Sequence, residues 1–167
     1  LGLKKVGHAG TLDPMATGVL PVVFGEATKF SQYGLDADKA YAATIQLGQA
    51  TTTLDADGDA TEERAPISLD ESCIRDVLTR LSGVITQIPP LISALKQDGK
   101  PWYKLARQGV EIERRPREVT IYEHRLVGFD AHAQTIDVVI RCSKGTYIRS
   151  LAESVAHELG TVAHLSA

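Results

Sequence analysis

The sequence predicts a mixed α+β fold, a mainly antiparallel sheet flanked by helices, on three observations. Residues 119–129 and 135–142 have strand character and flank a polar turn near 130–133, which reads as an antiparallel pair. Ile74, Val77, Leu78 and Leu81 recur at helical spacing, as do Ile148, Leu151, Ala152, Val155, Ala156 and Leu159. Strand-like segments gather in the middle of the chain, helical ones are dispersed, and no regular strand–helix alternation is present.

Taken in order, residues 5–25 are punctuated by Gly7, Gly10, Pro14, Gly18, Pro21 and Gly25, too often for a long helix. The segment reads as a pinned loop that enters a short buried strand over 19–24. Residues 26–33 suit a short helix. Tyr41, Ala43, Ile45 and Leu47 alternate as one face of a half-buried strand. Residues 55–64 are polar and turn-rich, with Asp57 and Gly58 at a tight turn. A helix is expected from Ser68, with Ser68 and Glu71 as a capping box and Gly83 as its stop. Pro89 and Pro90 break the chain, and a short helix is expected over 102–108. The last helix closes at Gly160, with Thr146 as its expected cap.

With 167 residues, 43% hydrophobic and 23% charged, the chain suits one globular domain. It carries no initiator Met and stops in an apolar-rich segment, so it is expected to be incomplete at both ends. Cys73 and Cys142 are too few for a disulfide framework and are expected as buried thiols in a cytoplasmic protein. No apolar run is long enough to cross a bilayer. His8, His124, His132, His157 and His164 show no metal-ligand spacing, and neither CxxC nor HExxH occurs, so no metal is implied. A net charge of −3 argues against broad non-specific nucleic-acid binding, yet residues 91–117 carry seven basic against three acidic side chains. A chain polarised in this way can bind a folded RNA on one face.

Asp13 is the leading candidate for chemistry. Pro14 restrains it, glycines on both sides allow close approach, and a carboxylate near a buried strand needs donors or a cation. Arg149 is its natural partner. It lies where a strand gives way to a helix, and a cation at a helix N-terminus is unfavourable unless an anion offsets it. Taken alone, an Asp-Pro turn and a strand-end arginine are ordinary structural features. Tyr41 and Tyr147 read first as core residues, with a platform for an extruded base as the other reading. His8 stands among glycines, where a stacking role and a structural one are both open. Residues 93–104 interleave basic and aromatic side chains, a mixture that supports phosphate contact and stacking.

GxxxxGK[ST] and GxGxxG are absent, so nucleotide-triphosphate and dinucleotide cofactors are not implied, and there is no GxSxG either. Glycosidase chemistry needs a second carboxylate facing Asp13, for which Asp55 is the least poor candidate. The competing classes are therefore a nucleoside or glycoside hydrolase and a non-enzymatic RNA-binding module.

The motifs GHAGTLDPMATG (7–18), GEATKF (25–30), DKAY (38–41), LGQ (47–49), PPLISALK (89–96), YKLARQG (103–109) and CSKGTYIR (142–149) run in order through most of the chain. Together they resemble the bacterial tRNA pseudouridine-55 synthases, the TruB family. The resemblance implies a pseudouridine synthase fold over 1–167, with residues 89–117 as an RNA-clamping insertion. It also implies a cofactor-free isomerase that converts uridine to pseudouridine in the T loop of tRNA, as a monomer with the tRNA T-arm as partner. By the same resemblance Asp13 is the catalytic carboxylate, Arg149 pairs with it to keep it ionised, and Tyr41 stacks on the flipped uracil. Tyr147 is a second wall of the pocket, His8 enters the T loop as the base leaves, and Asp55 and Lys39 lie beside the active site. Lys96, Lys100 and Arg107 belong to the clamp.

Departures from the family pattern are Thr51, Thr52 and Thr53 where Thr-Asp-Thr is usual, and three expected features not found in the chain. These are an N-terminal strand, a Leu-Arg-Arg segment beyond Ala167 and a C-terminal RNA-binding PUA domain. A fragment without them is expected to be inactive alone.

Overall fold

The computed structural model describes residues 5–167, apart from the side chain of Arg107. β1 (Val6–His8) and β2 (Val22–Phe24) form a small antiparallel ribbon that brackets the Asp13 loop. The strand expected over 19–24 is thus shorter, and it is not buried: Val19 is 91% exposed, and Val22 and Phe24 are exposed as well. A ribbon standing outside the main sheet has only one face to pack. Val23 occupies that face, near Thr28. The short helix expected at 26–33 is a 3₁₀ turn over Gly25–Phe30 running into α1 (Ser31–Asp36).

β3 (Lys39–Leu47) buries Ala43, Ile45 and Leu47, as the alternation predicts, with Tyr41 half-buried. β4 (Gln49–Thr51) and β5 (Ala60–Glu63) form a second ribbon around the turn-rich segment. α2 (Glu71–Arg80) starts later than expected, and its cap is Asp70, whose carboxylate accepts from the Ser72 N–H at 2.7 Å. The Ser68–Glu71 box does not form because the preceding residues are committed as extended chain. Gln134 holds both the N–H and the carbonyl of Ile67, and Ile67 and Leu69 pack on the core. Gly83 does not stop the helix but opens a further strand, β6 (Gly83–Gln87).

β7 (Lys96–Gln97) and β8 (Lys100–Pro101) make a hairpin turned by Asp98 and Gly99, and lead into α3 (Trp102–Arg107). β9 (Arg117–Asp130) and β10 (Thr135–Cys142) are the expected antiparallel pair. α4 (Ile148–Glu158) and β11 (Ala163–Leu165) complete the chain.

The main sheet has the order β11–β3–β10–β9–β6, antiparallel throughout. Its inner face, with Ile45, Ile136, Val138 and Ile140, packs on Ile74, Val77 and Leu78 of α2 and on Leu151, Ala152 and Val155 of α4. Burial of these side chains is the main stabilising term. Trp102, Leu105 and Ile112 form a separate small core under the 89–117 insertion. Cys142 is buried as expected. Cys73 is exposed, because the buried stripe of α2 runs through positions 74, 77 and 78. No helix among the described residues is long and apolar enough to cross a membrane.

Candidate active site

Sheet register brings two distant motifs together. Antiparallel pairing sets Lys39 opposite Cys142 and Tyr41 opposite Ile140, so the start of β3 lies beside the turn that leaves β10 for α4. Gly145, at φ +77°, turns that connection. Thr146 closes it by donating to the Ser143 carbonyl at 2.9 Å, and, contrary to the expectation from sequence, it does not cap the helix. The residue at the cap, Tyr147, is held instead by Gln87. Its N–H donates to Gln87 Oε1 at 3.1 Å, and Gln87 Nε2 donates back to its carbonyl at 3.3 Å.

Arg149, in the first turn of α4, is nearly fully buried and surrounded by acceptors. Nη1 donates to the Thr53 carbonyl at 2.8 Å and Nη2 to the Ile92 carbonyl at 3.1 Å. Nε lies 3.0 Å from Asp13 Oδ2, Nη2 reaches Asp13 Oδ1 at 3.3 Å, and Nη1 lies 3.5 Å from Asp55 Oδ2. This is the anion that the helix-terminus argument requires. Asp55 is itself fixed: Thr53 Oγ1 and the Asp57 N–H both donate to Oδ1, and Thr51 Oγ1 donates to its backbone carbonyl.

The Asp13 loop is pinned independently. The Ala16 N–H donates to the Asp13 carbonyl at 2.9 Å, and the N–H of buried Ala9 donates to Pro21 at 3.0 Å. α1 lies so close that a Cβ at Gly34 would stand 2.5 Å from Ala9 Cβ, so this approach requires glycine. Burial raises the Asp13 carboxyl above its ordinary value; Arg149 opposes the rise, while Asp55 and Asp57 add to it. The expected pairing is present, but burial outweighs its charge effect. Burial likewise raises the Tyr41 phenol, with Cys142 and Asp13 adding to the rise.

A cavity of about 380 Å³ opens over the Asp13–Arg149 pair, walled also by Lys39, Tyr41, Asp55 and Tyr147. Six of the ten candidate residues therefore meet at one place. The Lys39 ammonium points to the carbonyls of Gly34, Leu35 and Ala37 at the end of α1. Arg117 stacks over the Tyr147 ring at 5.7 Å from its centroid. Among the described residues, His8, Lys96 and Lys100 do not line the cavity. His8 is exposed on β1 with Nδ1 against the Gly10 carbonyl, and Lys96 and Lys100 are exposed on the β7–β8 hairpin. The Arg107 side chain falls outside the described residues. Gln87, Thr53 and Ser93 complete the surroundings, and the sequence reading gave none of them a role. Thr53 lies in the segment that departs from the family pattern and Ser93 in the PPLISALK run, whereas Gln87 carried no signal.

Among the described residues no group of three or more His, Cys, Asp or Glu is placed to hold a metal ion. The five-stranded antiparallel sheet, its flanking helices and the cavity are consistent with a pseudouridine synthase fold. Residues 1–148 match the family described as TruB family pseudouridylate synthase (N terminal domain), and the chain belongs to that family. It is 54% identical over 165 residues to the tRNA pseudouridine synthase B of Neisseria gonorrhoeae (strain NCCP11945), covering 98% of this chain and 53% of the relative. It is 52% identical over 166 residues to that of Pseudomonas fluorescens (strain Pf0-1), covering 99% and 53%. The chain thus spans about half the length of the curated relatives it matches. Among solved structures, a Cbf5-Nop10-Gar1 complex superposes with a TM-score of 0.72 at 31% identity, over 99% of this chain and 39% of the other. An H/ACA ribonucleoprotein bound to a substrate RNA containing 2′-deoxyuridine does so with a TM-score of 0.67 at 27% identity, over 98% and 37%.

Proposed function

We propose that the full-length protein converts uridine to pseudouridine at position 55 in the T loop of tRNA, acting as a cytoplasmic monomer without a cofactor. The observation that carries this reading is the Asp13–Arg149 pair beneath a cavity large enough for a nucleoside and walled by Tyr41. Family membership and relatives named as tRNA pseudouridine synthase B support it.

In the reaction, the bond between uracil N1 and ribose C1′ breaks, the base turns while still held, and C5 bonds to C1′. N1 ends protonated and C5 loses its proton, so mass is conserved and no redox partner is needed. The target must first leave its stack, at a cost of a few kcal/mol. Contacts from His8 and from the basic 89–117 insertion, including Lys96, Lys100 and Arg107, offset that cost. Asp13 serves as nucleophile at C1′ or takes a ribose proton, and both routes use the same ionised carboxylate held by Arg149. Tyr41 and Tyr147 retain the freed base while it turns, with Lys39 and Asp55 fixing the surroundings. Incubation of unmodified T-arm RNA with the full-length protein, followed by carbodiimide-adduct mapping, tests this reading. One pseudouridine at position 55 is expected; free uracil would mark a hydrolase, and unchanged uridine a binding module.

A further inference from the structure

The 87–93 segment is fastened along the start of α4 at three successive points. Gln87 holds the Tyr147 backbone, Ser150 Oγ donates to the Ile88 carbonyl at 3.0 Å, and Arg149 donates to the Ile92 carbonyl at 3.1 Å. Pro89 and Pro90, both fully buried, stiffen the chain between these points. The next residue, Ser93, is held from its other side, where its carbonyl accepts from the Tyr103 N–H at 3.2 Å. Its place on the cavity wall is therefore set by the same helix turn that places Arg149.

Ser93 is only 5% exposed, and its hydroxyl has no hydrogen-bond partner among the described residues. A buried hydroxyl without a partner is unfavourable, and native proteins rarely leave one without a reason. Ser93 is one of the residues that line the cavity over Asp13. A serine side chain turns about a single bond, so its hydroxyl can meet a ligand without moving the backbone. Asp13 and Arg149 are both engaged with each other, and Tyr41 presents mainly a ring. Ser93 supplies a neutral hydrogen-bonding group at the same wall, suited to the hydroxyl and carbonyl oxygens of a pyrimidine nucleoside.

We propose that Ser93 is a substrate-contacting residue, unpaired in the free protein and hydrogen-bonded to the extruded uridine once it is seated. This rests on the reading of the cavity given above. The test is Ser93→Ala in the full-length protein, with Asp13→Asn measured in parallel. Removal of an unpaired hydroxyl should leave Tm unchanged or raised, whereas loss of the substrate contact should lower the single-turnover rate at saturating RNA by about fivefold or more. RNA affinity should stay within about threefold, since backbone contacts elsewhere dominate it. A rate loss of less than fivefold overturns the proposal. So does a rate loss accompanied by a fall in Tm of more than about 4 °C, which marks a hydroxyl that serves folding. Full turnover by Asp13→Asn would remove the reading of the cavity itself, while an inactive Asp13→Asn beside a fully active Ser93→Ala removes only the role of Ser93.

Discussion

Arg149 and Asp13 form an unequal pair: the arginine side chain is 6% exposed and the aspartate 44%. The guanidinium is anchored inside by the Thr53 and Ile92 carbonyls and by Asp55, and the carboxylate lies between it and the cavity. Charge is thus fixed on the protein side and available on the open side. A carboxylate so placed is oriented before any substrate arrives, and electrostatic preorganisation depends on that.

Because Arg149 serves four acceptors at once, its replacement should be felt in both folding and chemistry. Arg149→Met leaves buried Asp55 without its counter-charge and two carbonyls without the arginine donor, and should cost about 3–5 kcal/mol in urea unfolding. Arg149→Lys keeps the charge but cannot reproduce the fork, so activity should fall about 100-fold or more with a smaller loss of stability.

The raised Asp13 carboxyl fixes the sign of the pH dependence. Activity needs the ionised form, so the single-turnover rate should fall as pH drops through a value above the ordinary 3.8 of aspartate. For stability the sign is opposite. The folded state holds this proton more tightly than the unfolded chain, so the group contributes most below 3.8 and that contribution is lost as pH rises through the raised value. Asp13→Asn should therefore flatten this part of the stability profile, as followed by thermal unfolding at several pH values.

Gly58 packs against the residue that links Asp55 to Arg149. A Cβ there would stand 2.4 Å from Thr53 Oγ1 and 2.7 Å from Thr53 N. Gly58→Ala must displace backbone and should cost about 1–3 kcal/mol. The same shift reaches the Arg149 anchor, so the rate should fall with little change in RNA affinity, as single-turnover and binding assays would report.

Much of this fold was legible because its central elements obey simple periods. β3 and β10 show clean alternation and α4 a helical stripe, and each forms where the pattern puts it, as does β9 on its strand-forming residues. The misreadings lie where a tertiary partner overrode local preference. Gln134 holds Ile67 extended and passes the α2 cap to Asp70, and Gly83 turns the chain into β6. The strand expected over 19–24 reads as buried because its residues are apolar, but apolarity does not say whether a second layer covers them. Restrained backbone, strand position and helix-end charge made Asp13, Tyr41 and Arg149 candidates, and the ordered family motifs around them singled them out. Gln87 was not legible, and Thr53 was legible only as a departure from the family pattern, since each acts through a backbone group or a partner more than 50 residues away.

The central claim is that the Asp13 carboxylate performs the bond rearrangement and contributes little to RNA capture. Asp13→Asn keeps the size of the side chain while removing its charge. In the full-length protein, its single-turnover rate on T-arm RNA should fall by at least about 1,000-fold while RNA affinity stays within about tenfold. Substantial residual pseudouridine formation by the purified variant would contradict the account.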